Sequence, residues 1–196
     1  MIPALVLPPQ PDAPSDWVRR FAPLIPAGEV LDLACGNGRH ARLLAGLGHP
    51  VLALDRDPDA LANAAGAGIA TLQADLEGDG GALSWPFAAN RFSGIVVTNY
   101  LHRPLFRCML ASLAPQGVLI YETFAIGNAQ YGRPANPDFL LAPGELLGLL
   151  HIHQEFSLRI VAYEDGYVAT PKPAMVQRIC VIKAADTFTS ANSKLF

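Results

Sequence analysis

An acidic residue and a glycine-rich turn follow an apolar run within residues 30–38, VLDLACGNG. Gly36 and Gly38 let the backbone come close to a ligand, and the helix predicted after the turn begins with unpaired N–H groups. Asp32, just before the turn, would attract a cationic group and repel a phosphate. The spacing therefore indicates a pocket for a nucleotide-like cofactor that carries a positive charge.

Two more acidic residues stand at the ends of the next apolar runs. Asp55 closes the run 51–55, and its carboxylate can accept hydrogen bonds from both hydroxyls of a ribose. Asp75 follows the run 69–72, and its carboxylate can accept a hydrogen bond from a ligand, while the backbone N–H of Leu76 can donate one. For Asp75, a purely turn-forming role is an equal alternative.

The substrate side of the site is expected at polar residues beyond the fourth and fifth apolar runs, 95–98 and 118–121. His102 is the first candidate for a general base and Tyr100 the second, with simple packing as the alternative for both. A long connection, 124–141, adds side chains that can close over an anionic substrate. The candidate substrate-binding residues are Asn99, Arg103, Tyr131 and Arg133.

Strand-like apolar runs alternate with helical segments through most of the chain. This alternation predicts a mostly parallel sheet with right-handed crossovers. The last two runs, 158–163 and 175–182, have no helix between them, so we expect an antiparallel hairpin at the sheet edge. The predicted fold class is α/β: a Rossmann-like, seven-stranded, mostly parallel sheet with helices on both faces and an antiparallel C-terminal hairpin.

Local signals divide the chain into segments. Prolines dominate residues 1–14, which are predicted to form an extended leader. Ser15 is a candidate N-cap for a first helix, where the folded domain, 15–183, is predicted to begin. Asp57, followed by Pro58, is the candidate N-cap of the helix after the second apolar run. Residues 184–196 are predicted to be a polar tail.

Bulk composition narrows the class of protein. The 196 residues are 51% hydrophobic and 16% charged, with a net charge of −3, so the chain has no general attraction to nucleic acid or anionic membranes. The three cysteines lie far apart without metal-ligand spacing, which fits free thiols, a cytoplasmic location and no metal site. We expect a small-molecule substrate, no membrane span, and a monomer or homodimer.

Two cofactors compete for the glycine turn. Gly36-x-Gly38-x-x-Ala41, with Asp55 downstream, also fits the dinucleotide fingerprint and an NAD-linked oxidoreductase. Three features argue against NAD: the charge of Asp32 would repel a pyrophosphate, no separate substrate domain fits in the chain, and an antiparallel hairpin is not the expected end of a dinucleotide-binding half.

The combination of motifs resembles the class I S-adenosylmethionine (SAM)-dependent methyltransferases. Residues 32–38 match their first motif, with Ala34 at the position of its commonest first glycine. Asp55, residues 74–76 and residues 113–119 match later motifs, and the predicted order of elements agrees. The match at 74–76 implies that Asp75 accepts the adenine amino hydrogen and that the Leu76 N–H serves a ring nitrogen. The resemblance implies SAM as cofactor, bound by Asp32, Ala34, Gly36, Gly38, Asp55, Asp75 and Leu76.

Within that class, the segments 36–40, 99–103 and 131–134 look most like a tellurite-resistance-type branch of small bacterial methyltransferases. The leading hypothesis is methyl transfer to a small molecule. A soft nucleophile such as a thiol or a chalcogen oxyanion would need little help from a base. A non-catalytic, methyltransferase-like binding module is a further alternative, beside the NAD-linked oxidoreductase.

Overall fold

A seven-stranded sheet forms the centre of the molecule. The computed structural model describes residues 13–78 and 84–185. The strands are β1 (Val30–Leu33), β2 (Val51–Asp55), β3 (Ile69–Gln73), β4 (Phe92–Thr98), β5 (Leu113–Phe124), β6 (Leu158–Val168) and β7 (Ala174–Lys183), in the spatial order β3-β2-β1-β4-β5-β7-β6. The first five strands pair in parallel, and β7 pairs antiparallel with both β5 and β6. The predicted fold class is confirmed.

Helices cover both faces of this sheet. They are α1 (Asp16–Phe21), α2 (Arg39–Gly46), α3 (Pro58–Ala64), α4 (Leu105–Ser112) and α5 (Glu145–His151). The first three pack in one apolar cluster and the last two in another. Strand side chains alternate between these clusters, as in any sheet covered on both sides.

Capping residues begin two of the helices as predicted. The Ser15 hydroxyl accepts a hydrogen bond from the Trp17 N–H at the start of α1. Asp57 caps α3 in the same manner, with Pro58 in the first turn, where its missing N–H costs nothing. Sequence signals at helix starts are local, which is why they succeed here.

Several strands are longer than their apolar runs predict. β5 begins at Leu113 instead of residue 118, because Leu113 pairs with Phe92 before a register shift and Val118 then pairs with Gly94. β6 extends to Val168 because its residues continue to pair with β7 beyond the apolar segment. Backbone hydrogen bonds set these ends, and they form regardless of side-chain polarity.

The predicted leader and tail are only partly covered by the structure. Of the leader, residues 13 and 14 are described, and of the tail, residues 184 and 185; the remainder lies outside the described residues. Among the described helices, none is both long and apolar enough to cross a membrane.

Candidate cofactor and acceptor site

The carboxyl ends of β1, β2 and β4 surround a cavity of about 460 Å³, here called the glycine-turn cavity. Strand ends at a point where the strand order reverses are the usual ligand position in open α/β sheets. Its walls comprise Leu33, Ala34, Cys35, Gly36, Asn37, Arg39, Leu54, Asp55, Arg56, Ala74, Asp75, Leu76, Thr98, Asn99 and Tyr100.

The turn after β1 adopts a left-handed backbone. Ala34 has φ +54° and Gly36 has φ +52°. A side chain at Ala34 therefore costs about 1 kcal/mol of backbone strain, which a glycine would avoid. A Cβ built on Gly36 meets no atom within 4 Å, so the backbone here faces open space in the cavity. A ligand can approach Gly36 closely.

Gly38 has a packing role and lies outside the cavity wall. It begins α2 with φ +76°, and a Cβ there would lie 2.6 Å from the Ala64 Cβ of α3. No pair of carbons can come that close without a shift of the helix. Helix packing therefore accounts for this glycine, and its contact with the cofactor stays a prediction.

Asp55 clamps the glycine turn from β2. Its Oδ2 accepts a hydrogen bond from the Gly36 N–H at 2.8 Å, and its Oδ1 accepts one from the Asp57 N–H at 3.0 Å. Each carboxylate oxygen keeps a free lone pair, so the side chain can still accept ribose hydroxyls from the cavity. Asp55 thus has a structural role that its spacing in the sequence did not reveal.

Asp32 is buried beneath the turn, with 1% of its surface exposed. Burial raises the pKa of its carboxyl from 3.8 to about 7, although the Ala41 N–H and the charge of Arg39 act in the opposite direction. Its Oδ2 is the single buried side-chain polar atom of the described residues without a hydrogen-bond partner. Such an atom is costly to leave unpaired, and a cationic group or a water molecule near it would relieve that cost.

Two predicted adenine contacts lie in the same wall. Asp75 is exposed and its Oδ1 accepts a hydrogen bond from the Glu77 N–H, so the turn-forming role is present. Leu76 is buried at 4% exposure. Both residues border the cavity, so a ligand role remains open to them alongside the structural one.

Only one of the two predicted catalytic residues borders the glycine-turn cavity. Tyr100 borders the cavity, but burial and the neighbouring Glu77 raise its phenol pKa well above the ordinary value. A phenol that stays protonated at neutral pH can donate a hydrogen bond and is a poor base. His102 is partly buried and borders neither this cavity nor the second one described below.

Arg103 is engaged in a structural ion pair. Its Nε and Nη2 donate to the Glu145 carboxylate, and its Nη1 and Nη2 donate to the carbonyls of Asp138 and Leu140 at 2.8 and 2.9 Å. These bonds fasten the connection between β5 and α5 to the start of α4. Four of the five N–H donors of Arg103 are thereby used within the fold, and its substrate-binding role stays a prediction.

The two candidates within the long connection lie outside the walls of the cavities described here. Tyr131 is 41% exposed and its ring packs against Tyr167 of β6, with centroids 5.2 Å apart. Arg133 is exposed, and neither residue borders the cavities described here. Of the four predicted substrate-binding residues, only Asn99 borders either of these cavities.

A second and larger cavity, of about 780 Å³, adjoins the first. We call it the hairpin cavity, because the β6–β7 loop forms one wall; the start of α1 and the end of β5 form the others. It is lined by Ala13, Pro14, Ser15, Asp16, Arg19, Arg39, Asn99, Glu122, Phe124, Val168, Ala169, Thr170, Pro171, Lys172, Ala174, Val176 and Arg178. Arg39 and Asn99 border both cavities, so the two meet at these residues.

A chain of hydrogen bonds connects the floors of the two cavities. His40 is buried, and burial together with the charge of Arg39 lowers its pKa from 6.5 to about 3, so the ring is neutral. Its Nε2 accepts from the Ser15 N–H at 3.1 Å. The other nitrogen, Nδ1, therefore carries the proton and faces the Thr98 hydroxyl at 3.3 Å.

The chain continues from Ser15 into the hairpin cavity. The Ser15 hydroxyl donates to Glu122 Oε1 at 2.9 Å, and Arg178 donates to the other carboxylate oxygen of Glu122 at 3.2 Å. Arg178 also pairs with Glu164 at 2.6 Å. The start of α1 is thereby held against α2 and β5, which gives the hairpin cavity a rigid wall.

Metal ligands are not clustered in the described part of the chain, and the pKa of the thiol in the glycine turn is raised. No group of three or more His, Cys, Asp or Glu side chains comes together there. All three cysteines are free, and burial with the nearby charge of Asp32 raises the pKa of Cys35 to about 12. A thiol in that state is not a nucleophile at neutral pH.

Sequence comparison finds a matching family for the segment that carries the glycine turn. Residues 30–117 match the family described as "Methyltransferase domain". A protein-L-isoaspartate O-methyltransferase of Chlorobaculum tepidum is 35% identical over 109 residues, which cover 54% of this chain and 49% of that protein. The chain thus spans about half the length of the curated relative it matches.

Solved structures share the fold over most of the chain. An S-adenosylmethionine-dependent methyltransferase from Mesorhizobium loti superposes with a TM-score of 0.65 at 18% identity, covering 84% of this chain and 95% of that one. TehB from Haemophilus influenzae superposes with a TM-score of 0.66 at 18% identity, covering 87% of this chain and 62% of that one. Likeness at this identity is evidence of fold; the narrower branch suggested by the sequence stays a prediction.

The sequence match and the shared architecture agree with the motifs at the strand ends. Residues 30–117 are thus similar to methyltransferase domains, and the described residues share the fold of solved S-adenosylmethionine-dependent methyltransferases.

Proposed function

We propose that this protein transfers a methyl group from SAM to a small-molecule acceptor. The observation that carries the proposal is the pairing of an open glycine turn with two acidic side chains. Gly36 faces open space, Asp55 borders it, and Asp32 lies just beneath with an unpartnered oxygen. SAM is cationic at its sulfonium and ammonium groups and carries a ribose diol, so it fits this distribution of donors and charges.

Five residues in or beneath the glycine-turn cavity have distinct parts in this proposal. Gly36 allows close approach of the methionine portion, and Asp32 balances its ammonium group, directly or through water. Asp55 accepts the ribose hydroxyls. Asp75 and Leu76 flank the adenine, and Arg56 stands exposed beside them in the same wall.

The bound cofactor would supply an electrophilic methyl group: the acceptor's lone pair forms the new bond to carbon while the carbon–sulfur pair returns to sulfur. The chain's own contribution is to hold the acceptor in line and exclude water. Asn99 and Arg39 stand at the junction of the two cavities, where this alignment would be made. The hairpin cavity is the proposed place for the acceptor.

Calorimetric titration with S-adenosylhomocysteine, the demethylated product, tests the proposal. Gly36→Ala would place a methyl group in the cavity, so we expect a loss of affinity of about tenfold or more. Gly48→Ala is the matched control: Gly48 also has a left-handed φ (+91°) and open surroundings, but it follows α2 away from the cavity. Both variants carry similar backbone strain, and only the first should weaken binding.

Two results would contradict the proposal. One is the absence of saturable binding of S-adenosylhomocysteine by the folded wild-type protein. The other is tight binding of NADH in its place, detected by quenching of nicotinamide fluorescence. That result would restore the oxidoreductase alternative.

A further inference from the structure

The hairpin cavity has the size and lining of an organic-ligand site. Its volume of about 780 Å³ lies within the range of about 300–1,000 Å³ that small-molecule pockets occupy. Phe124, Val168, Pro171, Ala174 and Val176 give it an extended apolar wall. A bare inorganic oxyanion would leave most of this wall without a partner.

Part of the charge in the cavity is neutralised internally. Glu122 and Arg178 form an ion pair at 3.2 Å, and Arg178 also pairs with Glu164. Arg178 further stacks over the Trp17 ring, at 4.9 Å from its centroid. These groups are fixed by one another and have little charge left to offer a ligand.

Three cations in the walls have no such partner. Arg19, Arg39 and Lys172 form no ion pair with any carboxylate of residues 13–78 and 84–185, and the one remaining acid in the walls is Asp16. Arg39 donates a single long hydrogen bond, at 3.4 Å, to the Ala13 carbonyl. The cavity therefore presents a net positive charge next to an apolar wall, in a chain whose overall charge is −3.

We infer that the acceptor is an organic anion, with an apolar body against Phe124 and Val176 and a carboxylate-like group facing Arg19, Arg39 and Lys172. The inference rests on the proposed methyl transfer and extends it to the chemical class of the acceptor. Cations at three places on the walls hold an anionic group at a defined position, and the apolar wall holds the body. Arg39 stands at the junction with the glycine-turn cavity, so the anion is bound close to the transferred methyl group.

Matched pairs of probes test this directly, because a carboxylate and its primary amide have nearly the same shape and differ in charge. The probes are phenylacetate, indole-3-acetate and hexanoate with their amides, titrated into the protein saturated with S-adenosylhomocysteine and followed by ligand-observed NMR. We expect at least one carboxylate to bind about tenfold more tightly than its amide, as a charge-assisted hydrogen bond would give. High salt should reduce the difference.

Charge variants locate the effect. The double variant Arg19→Gln, Lys172→Gln should abolish the preference for the carboxylate, and both residues are exposed, so the fold should tolerate it. Arg159→Gln is the control: Arg159 is an exposed cation on β6 that borders neither cavity, and its loss should leave the preference unchanged. An equal loss in both proteins would mean that general charge causes the preference, and it would overturn the inference.

Two further outcomes separate this inference from the proposed function. In the first, S-adenosylhomocysteine binds saturably, but no carboxylate probe binds more tightly than its amide, or no probe binds in the millimolar range. This outcome overturns the anionic acceptor alone. A carboxylate preference without binding of S-adenosylhomocysteine overturns the proposed methyl transfer, and with it the role of the anion as acceptor.

Discussion

Replacing Asp32 with Asn should change stability in a pH-dependent way that only a buried, poorly partnered carboxylate produces. Burial raises the pKa of Asp32 from 3.8 to about 7 in the folded protein. The difference corresponds to about 4 kcal/mol of penalty on the ionised form. The variant removes that penalty while it preserves the size and shape of the side chain.

The direction of the change in unfolding free energy follows from the number of protons bound by the folded and unfolded states. Between about pH 4 and about pH 7 the folded protein retains a proton on Asp32 that the unfolded chain has released, so this residue makes unfolding easier as pH rises. Above about pH 7 the penalty is complete. The unfolding free energy of Asp32→Asn, minus that of the wild type, should therefore rise by about 1.4 kcal/mol per pH unit across this window and then level off.

A constant offset accompanies the slope. The new amide would place an N–H₂ group where Oδ2 now has no partner, which costs about 1–3 kcal/mol at every pH. Urea denaturation of both proteins in unit steps from about pH 5 to about pH 8 measures the difference, in which the titration of all other groups cancels. A flat difference would refute the reasoning, because it would mean that the carboxyl is solvated.

The same variant tests the proposed ammonium contact. An ammonium group near Asp32 would favour the ionised carboxyl, so binding of S-adenosylhomocysteine near pH 7 should release a fraction of a proton. Calorimetry in two buffers of different ionisation enthalpy measures this release. It should vanish in Asp32→Asn; equal release in both proteins would assign the proton to another group.

Two remaining predictions concern residues that hold the site together. His40→Gln should destabilise the protein at neutral pH by about 1–2 kcal/mol through the lost bond to Ser15. The wild-type His40, whose pKa is lowered to about 3, loses stability as pH falls below about 6.5; urea denaturation should show that the variant loses about 2 kcal/mol less between about pH 7 and about pH 5. Arg103→Lys cannot reproduce the forked contact with Glu145, so we expect a loss of about 1–2 kcal/mol and faster proteolysis between β5 and α5, with unchanged affinity for S-adenosylhomocysteine. Weaker binding of acceptor-like carboxylates with unchanged stability would instead return Arg103 to the substrate site.

Helix starts and the glycine turn were predictable because their signals are local. Ser15 and Asp57 cap their helices through hydrogen bonds to residues two positions away. The turn at Gly36 needs a left-handed backbone, which glycine adopts readily. The positions of Asp32 and Asp55 near the ends of β1 and β2 follow from where the apolar runs stop. Alternation of strands and helices then leaves few topologies, and the observed strand order is one of them.

Contacts between segments distant in the sequence could not be predicted from local signals. Gly38 has the spacing of a ligand-binding glycine, yet Ala64 of α3 takes the space that its missing side chain leaves. Arg103 has the position of a substrate ligand, yet Glu145 comes within reach of it only when α4 and α5 pack into the same apolar cluster on one face of the sheet. In both cases the competing partner lies far along the chain.

The amino-acid sequence by itself determined the glycine-turn cavity, because strand, turn and acid are neighbours along the chain and need only the sheet to align them. The hairpin cavity was decided by tertiary structure alone. Arg19 of α1, Arg39 of α2 and Lys172 of the β6–β7 loop come together only after the antiparallel hairpin closes beside β5. Spacing along the chain does not encode the approach of three separate elements, since packing of the two apolar faces sets it.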